Sequence, residues 1–146
     1  MLQEMLTRHP ALQVCAGELR RAIEMLCASY AHGGKVLTCG NGGSAADAEH
    51  IVGELMKGFL CKRALPAEEQ AELMRQGEAG AYLAQHLQAP LPAISLVSSV
   101  SLATAFANDV APELTFAQQV YGLGAPGDVL IGISTSGTSK NIVYAV

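Results

Sequence analysis

Apolar residues recur at steps of three and four between Pro10 and about His32, at Leu12, Cys15, Leu19, Ala22, Leu26 and Tyr30. That spacing predicts an amphipathic helix. Pro10 suits a first helical turn, and Gly33-Gly34 supplies a left-handed stop. The run Val36-Leu37-Thr38-Cys39 is too short and too apolar for a surface helix, so it reads as a buried strand. A helix is expected over Ser44–Phe59, with Ser44 as its cap and Asp47 three residues on completing a capping-box-like pattern. Charge clusters across 60–90, where Pro66, Gly77, Gly80 and Pro90 punctuate two short helical patterns. This segment is a helical excursion, too short for a core of its own. Strand character returns at Ala93–Val97, and helical patterns follow over Ser101–Asn108 and Glu113–Tyr121. After Gly122, Gly124 and Pro126-Gly127 comes a third strand, Asp128–Ile133.

Strands alternating with helices at these lengths indicate βαβ units and a parallel sheet. The 146 residues make one domain. Half are hydrophobic and only 15% charged, which suits a sheet covered by helices on both faces. The fold class is therefore α/β, a three-layer αβα sandwich. The net charge of −4, with no run of lysine and arginine, argues against nucleic-acid binding through phosphate neutralisation. Cys15, Cys27, Cys39 and Cys61 lack CxxC spacing and read as reduced thiols. The start, MLQEMLTRHP, has no apolar signal core, and no stretch approaches the roughly 18–20 apolar residues of a membrane span. A cytoplasmic protein is expected.

Two turns carry the chemistry. Gly40-Asn41-Gly42-Gly43-Ser44 follows the first strand and opens a helix. Free amides of a first helical turn, with aligned peptide dipoles, favour an anion, and glycine lets it approach the main chain. Taken alone, the same turn is also an ordinary tight βα connection. It further satisfies the G-x-G-x-x-G/A dinucleotide fingerprint, but the acidic residue due about 20 residues on, at the end of the next strand, is absent. That strand ends in Ser98-Ser99. The second turn, Ser134-Thr135-Ser136-Gly137-Thr138-Ser139, also follows a buried strand and opens a helix at Lys140-Asn141. Its hydroxyls and amides can surround a phosphate without lysine or arginine. Two such turns at the carboxyl ends of parallel strands favour a small phosphorylated ligand.

His50 and Glu54 stand four apart on the helix after the glycine turn, hence on one face. Aldose–ketose isomerisation moves a proton between adjacent carbons through an enediolate, and a carboxylate beside the substrate is a suitable base. The same pair also reads as a solvated surface pair.

Together, GNGGSAADAEHIVGEL, PAISL, FANDV and GDVLIGISTSGTS resemble the SIS (sugar isomerase) family of phosphosugar-binding domains. The likeness is nearest to its phosphoheptose isomerase branch, which interconverts sedoheptulose 7-phosphate and a heptose 7-phosphate. It covers roughly residues 10–59 and 92–146. The resemblance implies a Rossmann-like SIS fold with N-terminal helices. It places Ser134, Thr135, Ser136 and Ser139 at the phosphate, and Asn41, Gly42, Gly43 and Ser44 at the sugar. Asp109, from the family's N-D pair, becomes a substrate contact and Glu54 the catalytic base. His50 matches a histidine that binds zinc in some members, so the cofactor expectation is none required, with zinc on His50 and Glu54 where one is used. A homotetramer with sites completed across subunits is implied. The competing class is a non-catalytic sugar-phosphate sensor or scaffold, like the SIS protein that associates with the bacterial replication initiator; that relative has no glutamate at the position of Glu54.

The resemblance also marks departures. Relatives continue past the position of Val146 through further strands and a final helix carrying a glutamine and a histidine. Residues 1–146 are thus expected to be a single SIS domain, C-terminally incomplete. Relatives bridge Phe59 to Ala93 by a short connection, and Lys57 is the nearest cation to where they carry an arginine past the glutamate. The excursion is expected to pack structurally, burying Leu73, Tyr82, Leu83 and Leu87, with a lid or an oligomer contact as the alternatives.

Overall fold

The computed structural model describes residues 2–146. Its centre is a three-stranded parallel sheet in the order β2-β1-β3, with β1 Val36–Gly40, β2 Ala93–Ser95 and β3 Val129–Ile133. Every residue of β1 is buried, which is why it reads as an unbroken apolar run rather than an alternation. Val36 pairs with both Ala93 and Val129, and Gly40 with Ile133, so the strands end at one edge.

Helices cover both faces. Thr38 donates its hydroxyl to the Ala48 carbonyl at 3.0 Å, seating α3 (Gly43–Met56) over the face that carries Val36 and Thr38. Leu37 and Cys39 point the other way, into a cluster with Leu96, Phe116 of α7 (Thr115–Leu123), Ile142 of α8 (Lys140–Val143) and Ala145. Each fully buried side chain of this size contributes roughly 1.5–3 kcal/mol, so this face supplies much of the cohesion. Gln119 of α7 is buried among them and donates to the Leu96 carbonyl at 2.9 Å, tying α7 to the end of β2. At the opposite end of the sheet, Asp128 accepts from the Lys35 ammonium (2.5 Å), the Lys35 amide (2.9 Å) and the Ala125 amide (2.7 Å). The side-chain bond from Lys35 is the main reason its carboxyl sits below the usual carboxylate range.

Several boundaries differ from the sequence reading. The helix expected from Pro10 is a 3-10 segment over Pro10–Cys15, and α2 (Ala16–Ala31) begins only after it. Val14 is 91% exposed, so the apolar stripe of α2 does not continue through this segment. A short α1, Leu2–Arg8, precedes it, its Leu6 buried and its outer face bridged by Arg8 and Glu4. Ser44 is not the cap of α3. The cap is Gly42, in the left-handed half of conformational space at φ 55°, and no side chain caps the turn. The helix starts early because its first turn is pressed onto Gly40, where an added Cβ would lie 2.3 Å from the Ser44 carbonyl oxygen. Strand β2 is shorter than expected, although the Leu96 amide still donates to Thr38 at 2.9 Å.

The excursion forms two helices, α4 (Ala67–Met74) and α5 (Glu78–His86), that pack on each other. Their contact runs through small residues: Gly80 and Ala84 are buried, and a Cβ on Gly80 would strike the Leu73 carbonyl. Leu73 is half-buried, but Tyr82, Leu83 and Leu87 remain exposed, contrary to expectation. Tyr82 stacks instead on the His86 ring, with centroids 4.1 Å apart.

Candidate functional site

The connections fix where a ligand can sit. From β1 the chain crosses through α3 on one face to β2. It then returns through α6 (Val100–Asp109) and α7, whose Phe116 lies on the other face, to β3 on the far side of β1. The helices that follow β1 and β3, α3 and α8, cover opposite faces of the sheet, so the chain leaves the two strands toward opposite sides, the arrangement at which open α/β sheets bind ligands outside the carboxyl ends of the strands. The glycine turn and the serine loop are the two segments at that edge.

A reciprocal amide pair joins them. Asn41 donates to the Asn141 side-chain oxygen at 2.9 Å, and Asn141 donates back at 2.8 Å. Asn41, expected at the sugar, thus holds the first turn of α8 against the end of β1. Asn141 carried a sequence signal that went unread, an amide two residues beyond the serine loop. Gly42 and Gly43 are exposed and Ser44 is half-buried in the first turn of α3, where the uncapped amides face outward.

The serine loop is already folded on itself. Ser134 donates to the Ser139 hydroxyl at 3.2 Å and accepts the Gly137 amide at 3.1 Å. Ser136 accepts both the amide and the hydroxyl of Thr138, each at 3.2 Å. Gly137, at φ 68°, makes the bend, and the Thr135 hydroxyl is exposed. The result is a cup of hydroxyls and amides with no cation in its sequence, suited to an oxyanion. Just before it on the adjacent strand, burial pushes the Cys39 thiol up to about 11, so no thiolate competes there.

His50 and Glu54 share one flank of α3, with Nε2 and Oε1 3.6 Å apart. With Asp47, Ile51 and Leu55 they line a concavity of ≈ 470 Å³. Their side chains are 76% and 48% exposed, so the pair adds little to stability and stays free for a ligand. They lie about 10 and 16 Å along the helix from Gly43, at 1.5 Å per residue, so the pair stands apart from the two turns. Asp47 shares that concavity, but among the described residues no three His, Cys, Asp or Glu stand together closely enough to hold a metal ion. Two donors fall short of the three or four that zinc takes, and this chain's residues alone do not fit a zinc site.

Asp109 ends α6 and accepts from its neighbour Asn108 at 2.8 Å; no hydrogen bond links it to either turn among the described residues. Glu49, next to His50, accepts from Ser98 at 2.9 Å and so bridges α3 to the loop after β2, a contact the sequence did not announce.

The SIS domain family model matches residues 7–88, more than half of the chain. The chain belongs to the SIS domain family. It is 38% identical over 140 residues to the phosphoheptose isomerase of Azoarcus sp. (strain BH72), covering 96% of the chain and 58% of that protein. It is 41% identical over 121 residues to the phosphoheptose isomerase of Maridesulfovibrio salexigens, covering 83% of the chain and 47% of that protein. Among solved structures, the phosphoheptose isomerase of Neisseria gonorrhoeae superimposes with a TM-score of 0.60 at 32% identity, over 99% of this chain and 67% of that chain. The phosphoheptose isomerase of Francisella tularensis gives 0.65 at 33%, over 86% and 53%. The chain spans roughly half to three-fifths of the length of the curated relatives it matches. No helix among the described residues is long and apolar enough to cross a membrane.

Proposed function

We propose that this chain is a single phosphosugar-binding SIS domain of an aldose–ketose isomerase acting on a sedoheptulose 7-phosphate-like substrate. The observation that carries the reading is the reciprocal Asn41–Asn141 pair, which keeps two anion-suited turns side by side at the switch point of the sheet. Names of the relatives support the same chemistry.

In this reading the 134–139 cup takes the phosphate, through Ser134, Thr135, Ser136 and Ser139. The outward amides of Gly42, Gly43 and Ser44 face the sugar, Asn41 backs them, and Asp109 contacts the substrate. The Glu54 carboxylate removes the proton from the hydroxymethyl carbon of the ketose, leaving an enediolate. It returns that proton to the neighbouring carbon, while the hydroxyl proton on the first carbon's oxygen passes to the former carbonyl oxygen, giving the aldose. His50 is its polar partner and donates to the developing oxyanion. Because the pair stands apart from the cup along α3, the reading includes a homotetramer whose sites are completed across subunits, working in the cytoplasm.

The test is turnover of sedoheptulose 7-phosphate by the full-length protein and by Glu54→Gln. The expected result is a loss of at least about 100-fold in kcat in the variant, the usual range for a general base. Activity that survives in Glu54→Gln removes the base. Binding without turnover in the unaltered protein replaces the enzyme by a sugar-phosphate sensor.

A further inference from the structure

The stem of the excursion is zipped shut where it meets α3. The Ala89 amide donates to the Arg63 carbonyl at 2.9 Å, and Ala64 and Gln88 form an antiparallel bridge. The Gln88 side chain accepts the Gly58 amide at 3.1 Å, just past the end of α3. Gly58 is buried there, and a Cβ would collide with the Cys61 carbonyl. These bonds close the segment at its base, so α4 and α5 hang from a fixed stem.

Arg63 does something different from its neighbours. It is half-buried, yet among the described residues no carboxylate lies within ion-pair distance of it. Its guanidinium is spent on main-chain oxygens of two segments. Nε donates to Ala89 at 2.9 Å, and Nη2 donates to Leu55 at 2.5 Å. Leu55 belongs to the last turn of α3, whose carbonyls have no partner within the helix and carry the negative end of its dipole. The same carbonyl accepts the Leu91 amide at 2.9 Å, on the approach to β2. The planar fork suits two diverging acceptors in a way an ammonium does not. Tyr30 of α2 packs nearby: burial raises its phenol, and the Arg63 charge opposes the rise.

Leu55 directly follows Glu54 and lines the same concavity. Helix ends fray unless held, and a reacting group misplaced by about 1 Å can lose 100-fold in rate. We propose that Arg63 is a positioning residue: through the Leu55 carbonyl it fixes the last turn of α3, and with it the Glu54 carboxylate. The excursion stem is thereby part of the site's scaffold. The catalytic half of this inference rests on the isomerase reading above; the structural half does not.

The experiment compares Arg63→Ala, Arg63→Lys and the control Arg75→Ala in the full-length protein, with two readouts. Arg75 lies at the exposed end of α4, paired with Glu72. The first readout is amide hydrogen exchange. In Arg63→Ala, the amides of Lys57 and Leu91, which bond Gly53 and Leu55, exchange at least tenfold faster, while those of α2 do not change. The second is steady-state kinetics with sedoheptulose 7-phosphate. In Arg63→Ala kcat falls about tenfold or more and KM stays within twofold, because the phosphate cup is untouched. Arg63→Lys recovers part of kcat, and free guanidinium at millimolar concentration restores kcat in Arg63→Ala but not in Arg75→Ala. Unchanged exchange at Lys57 and Leu91 overturns the proposal. So does an undiminished kcat in an active enzyme, or a loss that merely tracks the folded fraction. An unaltered protein that never turns over the sugar phosphate sinks the isomerase reading, and exchange alone then decides whether Arg63 pins the helix.

Discussion

Replacing Gly40 by alanine tests the packing on which the site stands. Gly40 ends β1, is buried, and is not among the positive-φ glycines, so its backbone conformation suits alanine and only space is at issue. An added Cβ would lie 2.3 Å from the Ser44 oxygen, 2.5 Å from the Ser44 carbonyl carbon and 3.0 Å from the Ala45 nitrogen. All three are main-chain atoms of the first turn of α3, and none can swing aside as a side chain would. Comfortable separations are about 3.5–4.0 Å, so the helix start must retreat by about 1 Å or more. Overpacking costs about 1–3 kcal/mol, and a rigid backbone neighbour puts Gly40→Ala near the upper figure. For a chain of this size that is a fall in Tm of roughly 6–12 °C. The comparison is Gly53→Ala, near the end of α3 with nothing within 4 Å of its Cβ, which should gain up to about 1 kcal/mol from helix propensity. Thermal and urea unfolding followed by circular dichroism read both. A Gly40→Ala midpoint within about 2 °C of the parent, where the overpacking cost implies several times that, would refute the steric account of why α3 starts early.

The clasp between the turns is open to a double-mutant cycle: Asn41→Ala and Asn141→Ala should each weaken inorganic phosphate binding, and the double variant should be no worse than either single one, giving a coupling of about 1 kcal/mol by titration calorimetry. Asp128→Asn should cost about 2 kcal/mol at pH 7, because a charge-assisted set of bonds is lost. Asp128 has a folded pKa held below its unfolded value, so its contribution is complete above about pH 4 and disappears as pH falls through the folded value. The acid limb of stability, measured by urea midpoints from pH 2 to pH 7, should accordingly be shallower in Asp128→Asn.

The sheet was legible because β1 is buried on both sides and bounded by glycines, and the parallel order followed from the alternation of strands and helices. The two turns were legible for the same local reason: glycine and hydroxylic residues crowd where strand passes into helix. What escaped the sequence was decided by tertiary contacts. The start of α3 shifted because a strand glycine faces its first turn, and spacing along the helix carries no trace of that. Asn141 and Arg63 act on atoms 100 and 8 residues away, Asn41 and Leu55, and neither partner is visible in periodicity. The apolar side chains of the excursion misled because the α4–α5 contact is made by Gly80 and Ala84 instead.

The amide pair at the crevice also bears on how the protein ages. Asn41 is followed by Gly42, the succession in which a side-chain amide is most readily cyclised by the next nitrogen, and asparagines are among the thermolabile residues. With both its oxygen and its nitrogen engaged by Asn141, the Asn41 amide is held away from that attack. Were the grip released, the succinimide would open to an acid, planting a permanent negative charge at the end of β1. The same two bonds that join the glycine turn to the first turn of α8 thus also shield the Asn41 amide from its own backbone.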